Sequence, residues 1–230
     1  MFKARSLLAT ITFAIALIVS GCDVKIKPIE GGKEIAQEVE RHKIKRLTQQ
    51  DILNAALKHG DSITVVAQRL LDTRLAEQLE QGGVAAAIPY CQPENYEDVE
   101  VLQEKFGAIA HRVSANPRNT QNSPSNQMAD MLTRYGSNQE QGSKITALNQ
   151  EQLLYTSPIY IRSESCLRCH GTPGQEIAEA DYALIKEKYP NDQAIGYKKG
   201  DLIGMWHITF DKMDLVAYLN DQPKKSRRPR

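Results

Sequence analysis

Cys166-Leu167-Arg168-Cys169-His170 is the segment of this chain with the most evident chemistry. Two thiols three positions apart can add across the two vinyl groups of one haem, and the adjacent imidazole then falls under the iron as its proximal ligand. A zinc site would need a second pair of ligands at suitable spacing, which the chain lacks, and a thioredoxin-like redox pair should follow a strand in a βαβ unit. One covalent haem c per chain is therefore expected, attached at Cys166 and Cys169 with His170 on the iron.

Haem is attached in this way outside the cytoplasm, so the N-terminus bears on the same question. Lys3 and Arg5 precede an apolar run from Leu7 to Ser20, and small residues follow at Ser20 and Gly21. Fourteen apolar residues are too few to span a bilayer, which wants about 20, but they suit an export signal over residues 1–21. Val19-Ser20-Gly21-Cys22 resembles a bacterial lipobox, which makes Cys22 the acylated first residue of the mature chain. Asp23 resembles the residue that retains lipoproteins in the inner membrane of some Gram-negative bacteria. The expected location is the periplasmic side of a bacterial inner membrane, anchored through Cys22, with the cytochrome c maturation machinery as a partner.

Composition bounds the rest. With 230 residues, 41% hydrophobic and 25% charged, the chain reads as one ordinary globular domain with appendages. Lys+Arg 29 against Asp+Glu 28 gives no broad basic surface, so a nucleic-acid partner is not expected. Five of the basic residues lie in the tail 223–230, read as a solvated end that leaves an acidic body behind it.

The elements that must position the motif divide into a helical half and a mixed half. Ile35, Val39, Ile44 and Leu47 begin a helical pattern, which Asp51 to Leu57 continues to a break at His59-Gly60. Asp61 is expected to cap the strongest helix, with Ile63, Val66, Ala67, Leu70, Ala76 and Leu79 at helical spacing and Gly82-Gly83 at its end. A further helix over Ala85 to Cys91, bent at Pro89, follows. Strands are expected over Phe106 to Ser114, Leu153 to Arg162 and Asp201 to Phe210, a long loop over Asn116 to Asn126, and a helix over Ala178 to Tyr189.

With Cys22 acylated and two cysteines in thioethers, Cys91 is the one thiol left, and it is either an inert core residue or a ligand. An unpaired thiol in an oxidising compartment invites bridging unless something occupies it, and haem iron is such an occupant. Met128, Met131, Met205, Met213, His111 and His207 are alternative distal ligands, each with an ordinary structural role open to it as well. Arg112 and Arg118 are candidates for haem propionate contacts, because a guanidinium pairs bidentately with a carboxylate. Trp206 and Tyr197 are candidates for the pocket wall.

Several dispersed segments occur in a characteristic order: Tyr90-Cys91, Arg112-Val113-Ser114, Asn116-Pro117-Arg118-Asn119, Ser157-Pro158-Ile159, Cys166 to Gly171, Tyr189-Pro190-Asn191-Asp192, Ala194-Ile195-Gly196-Tyr197 and Lys199 to Gly204. Together they resemble the Tll0287-like domain family over about residues 61–212. The resemblance implies an α+β, PAS-like fold with an antiparallel sheet, helices on one side and covalent haem. It implies that the iron is held by His170 and by Cys91. The expected organisation is a signal at 1–21, a tether and N-terminal helix at 22–60, the haem-binding domain at 61–212 and a C-terminal segment at 213–230. Neither a class I cytochrome, with its motif near the start, nor a four-helix cytochrome, with its motif at the very end, fits 165 residues before Cys166 and 60 after His170.

Two functions follow from this reading. One is a redox- or gas-responsive sensor module in which loss of the Cys91 ligand switches the fold. The other is a monohaem electron carrier whose ligands stay in place. An enzyme is not expected, since no base, nucleophile or second metal cluster accompanies the haem. Any signal must leave through a redox or signalling protein partner, because no kinase or spanning segment follows the motif.

Overall fold

A computed structural model describes residues 29–41 and 46–222. The export signal, Cys22 and the basic tail lie outside the described residues. Helix α1, Gly32–Arg41, forms a unit by itself. Ile35 and Val39, one turn apart on it, are both more than half exposed. No described helix is long and apolar enough to cross a membrane.

The rest is organised by one very long helix, α2, Gln49–Ala87. Thr48 starts it with a capping box: its hydroxyl accepts the Asp51 N–H at 3.2 Å while the Asp51 carboxylate accepts the Thr48 N–H at 2.9 Å. Ala56, His59, Gly60, Ile63, Thr64 and Ala67 form its buried stripe at the three-and-four spacing of a helix face. The expected break at His59-Gly60 does not occur, and Asp61 is not a cap. A helix-interior glycine costs about 1 kcal/mol, but Gly60 is where the Tyr155 ring lies against the helix: a Cβ there would stand 2.3 Å from the ring carbon Cδ2. Asp61 accepts hydrogen bonds from the Tyr155 hydroxyl at 2.8 Å and the Ser143 hydroxyl at 2.7 Å. A domain boundary at 61 therefore cuts through the middle of a helix whose first turns already carry core residues.

After α2 come 3-10 turns at Ile88–Tyr90 and Pro93–Asn95, helix α3 (Glu97–Phe106) and strand β1 (Ala108–Val113). Helix α4 (Asn126–Gly136) follows the expected loop, then β2 (Lys144–Ala147), β3 (Gln152–Tyr160), α5 (Glu164–His170), α6 (Glu179–Lys188), β4 (Leu202–Asp211) and α7 (Lys212–Asp221). The four strands make one antiparallel sheet in the order β1-β4-β3-β2. Alternation along the strands turns Ala108, Ala110, Leu153, Tyr155, Trp206, Ile208 and Phe210 toward α2, α3 and α7 to form the main core. Val113 and Met205, on the other face, pack with Leu132 and Tyr135 of α4. The fold is thus α+β, as expected.

Helices α3, α4, α5 and α7 and strand β2 were not legible in advance, and Phe106, expected to begin a strand, ends α3. Asp211 caps α7, accepting the Met213 and Asp214 N–H groups at 2.8 and 3.0 Å, and Leu215 is fully buried in the main core. Residues up to 221 therefore belong to the folded body, not to a separate segment starting at 213. Pro158 sits in β3 just beyond the last pairing with β2, Lys144 opposite Thr156, so its missing N–H deprives no neighbouring strand of a bond. Beyond it β3 runs on toward α5 and the cysteine motif.

His59 lies in the core with its ring stacked on Phe106 at 4.0 Å and edge-on to Tyr218 at 5.2 Å. Burial, with Lys58 and Lys105 nearby, pushes its pKa from 6.5 down to about 4. The unfolded chain takes up this proton near pH 6.5, whereas the folded chain refuses it until about pH 4. Stability from neutral His59 is therefore present above pH 6.5 and is lost as pH falls toward 4, on the order of 2 kcal/mol. Urea midpoints measured at pH 7.5 and 4.5 check this: the drop should be smaller in His59→Phe, and an equal drop would refute it.

Candidate functional site

One cleft with about 1300 Å³ of space, part of it open to solvent, lies between α2, the end of β3, α5 and the segment after β1. Leu71, Leu75 and Leu79 of α2 wall one side at four-residue intervals. Gly82 and Gly83 then leave helical geometry, Gly83 with φ +65°, which a side chain would resist. This kink turns the chain, through the Pro89-containing 3-10 turn, so that Cys91 enters the cleft that α2 lines.

Cys166, Cys169 and His170 enter from the other side on α5. A separation of three places both thiols on one helix face. Cys169 packs into a second apolar cluster with Leu79, Val84, Ile88 and Ile185, so α5 is docked on the end of α2 and on α6. Burial raises the Cys169 thiol to about 11. The His170 imidazole donates from Nδ1 to the Ala194 carbonyl at 2.8 Å, which leaves Nε2 as the nitrogen free to ligate. Burial first, and the charge of Arg118 second, push the His170 pKa down to about 3, so the ring is neutral at ordinary pH. The Tyr197 and Gly196 N–H groups donate to the His170 and Gly171 carbonyls at 2.9 and 2.8 Å, which fastens the Ala194 to Tyr197 loop to the motif.

The candidate residues sort cleanly. Cys91, Cys166, Cys169, His170, Arg112 and Arg118 all line the cleft. Of the alternative ligands, Met205 is fully buried against Val113, with Met128 and Met131 beside that cluster, and Met213 is 80% exposed on α7. His111 and His207 stand opposite each other on β1 and β4. Among the described residues, no methionine and no second histidine lines the cleft. Trp206 is not a wall residue: it belongs to the main core, with the Arg112 guanidinium 5.8 Å above its ring. Tyr197 is outside the wall too and meets the His170 ring edge-on at 6.4 Å.

The two arginines are already engaged. Arg112 donates from Nε to Glu94 at 2.8 Å and from a terminal nitrogen to the Cys91 carbonyl. Arg118 donates from Nε to Asp192 at 3.2 Å and from a terminal nitrogen to the Cys169 and Ala194 carbonyls. Glu94, Asp192 and the Ala194 carbonyl are the parts of the site that sequence reasoning missed. Asp192 was visible as the end of Tyr189-Pro190-Asn191-Asp192, but nothing in that motif says which arginine it meets. Cys91 itself is nearly buried; burial raises its thiol pKa, while Arg112, Arg118 and Lys188 pull it down.

Chemically, the cleft collects two thiols able to form thioethers, one nitrogen donor and, from a separate segment of the chain, one further sulfur donor. Among the described residues, no cluster of three or more His, Cys, Asp or Glu is arranged to hold a bare metal ion. No curated protein matches the chain. Among solved structures it is similar to the crystal structure of the cyanobacterial heme-protein Tll0287, at 24% identity over 64% of this chain and 92% of that one, with a TM-score of 0.46. The family model of Tll0287 matches residues 49–210, from the first turn of α2 to the end of β4, and this chain belongs to the Tll0287-like family.

Proposed function

We propose that this cleft holds one haem c, joined to Cys166 and Cys169, with His170 Nε2 and the Cys91 thiolate as iron ligands. The single observation that carries this reading is the convergence of Cys91, Cys166, Cys169 and His170 on one apolar-walled cleft, with His170 already oriented through Nδ1. Bound there, the haem supplies one-electron exchange and, when a ligand leaves, a site for a small gas.

The protein is then a redox- or gas-responsive binding module and not an enzyme, anchored by an acylated Cys22 on the periplasmic side of a bacterial inner membrane. Its output is a redox or signalling protein partner. The route of Cys91 into the cleft favours the sensor over the electron carrier. Cys91 reaches the cleft on short 3-10 turns beyond a glycine kink and not on a regular helix or strand, so exchange of this ligand need not disturb the pairing of the sheet. A carrier would be better served by two ligands on rigid elements.

Expression with the maturation machinery, followed by pyridine haemochrome analysis and acid-acetone extraction, tests the cofactor. One non-extractable haem per chain is expected, and extractable or absent haem would overturn the reading. A mass spectrum of the mature N-terminal peptide should show acyl chains on Cys22.

A further inference from the structure

Arg112 and Arg118 both line the cleft and make matching sets of hydrogen bonds. Each guanidinium places its Nε on a buried carboxylate, Glu94 or Asp192, and a terminal nitrogen on the main chain of a cysteine, Cys91 or Cys169. Arg112 reaches back 21 residues to the Cys91 carbonyl, and Arg118 reaches forward 51 residues to the Cys169 carbonyl. The short stretch from β1 to Arg118 thus holds both ligand-bearing segments.

We infer that Arg112 and Arg118 are positioning residues that fix the spacing of the two iron ligands by gripping backbone carbonyls, and that Arg112 holds the Cys91 segment at the iron. The inference rests on the haem reading above and assigns these residues a role other than propionate binding. Three observations support it. The anchoring carboxylates are buried: the Asp192 side chain is fully so, and Glu94 is 9% exposed. Asp192 Oδ1 accepts from Arg118 Nε at 3.2 Å and from the Ala194 N–H at 2.9 Å, so the same carboxylate oxygen ties the arginine to the loop that orients His170. Finally, the Ala194 carbonyl accepts both from Arg118 at 3.2 Å and from His170 Nδ1 at 2.8 Å, which links Arg118 directly to the orientation of the proximal ring.

The grip on Cys91 needs a planar fork. One nitrogen must meet Glu94 while another meets the carbonyl, and a lysine ammonium, a single point on a flexible stem, cannot hold that geometry. Arg112→Lys therefore separates charge from position, and Arg112→Gln removes both. The experiment uses the full holoprotein: ferric paramagnetic resonance and absorption spectra, together with amide hydrogen exchange over residues 91–96.

Both variants should lose at least half of the thiolate signature shown by the wild type, and exchange in that segment should rise about tenfold or more. Haem stays covalently attached and His170-ligated in both. If Arg112→Lys keeps the wild-type signature, Arg112 acts by charge alone and the inference fails. Unchanged exchange in both variants overturns it equally, since a propionate partner would alter the potential without loosening the segment. If the wild-type spectrum shows no thiolate, the haem reading of Cys91 fails instead, and the two failures are told apart by that control.

Discussion

Replacing Cys91 by alanine is expected to abolish the low-spin thiolate spectrum of the ferric protein, raise its reduction potential and open a binding position for carbon monoxide or water. Thiolate donates negative charge to the iron and favours Fe(III), so its loss should shift the potential upward by about 100 mV or more, within the ~0.8 V span that axial ligands command. None of the alternative methionines and histidines is placed to take over, because they lie outside the cleft. Haem attachment should be untouched, since Cys166 and Cys169 are unchanged and are carried by a separate element, α5. Cys91→Met keeps a sulfur donor without the charge and should raise the potential while retaining a low-spin iron. Ferric spectra of Cys91→Ala that match the wild type would return Cys91 to the apolar core and remove the main support for a ligand-switching sensor.

A second large effect is expected far from the cleft, at Gly60. Alanine is the better helix former by about 1 kcal/mol, so helix propensity alone forecasts a gain. The structure forecasts a loss, because the new Cβ would stand 2.3–2.6 Å from three carbons of the fully buried Tyr155 ring. That ring is tethered by its hydroxyl to Asp61 at 2.8 Å and to Thr64 at 3.3 Å and has little freedom to move away. A net destabilisation of about 2–3 kcal/mol is expected from overpacking, or roughly 5–10 °C in Tm for a chain of this size. Thermal unfolding of Gly60→Ala measures it, and Tyr155→Leu in the same background should recover part of the loss. A rise in Tm would show that α2 can slide on the sheet at no cost, contrary to the packing described.

The two predictions differ in how far the sequence anticipates them. Cys166, Cys169 and His170 announce themselves, because attachment chemistry requires fixed spacing within one helical turn, and local spacing is written directly in the chain. Strand β1 was legible for the same reason, since its alternation of buried and exposed residues is a local pattern, and β3 and β4 were legible as runs of strand-forming residues. So was the position of Cys91 as a cysteine without an obvious partner, though its role came from a resemblance and not from its neighbours in sequence.

What sequence reasoning got wrong at His59-Gly60 shows the limit. Glycine breaks helices on average, and the compensation here comes from Tyr155, 95 positions later. Gly82-Gly83 looks the same locally, yet there the chain does leave helical geometry, because φ at Gly83 is positive and no ring fills the space. Helices α4 and α7 were missed because each buries so little that its apolar positions do not stand out locally: Leu132 and Tyr135 in α4, Leu215 in α7.

The sequence by itself carried the Cys166 to His170 motif, the α+β class and the family. Only the tertiary structure decided which donor shares the cleft with His170, that Trp206 is core and that the arginines are held by Glu94 and Asp192. The physical reason is that spacing encodes what one turn or one strand can do, whereas partners far apart in the chain are chosen by how the long helix α2 and the sheet pack. That packing brings Cys91 into the cleft that His170 lines, and no local pattern records it.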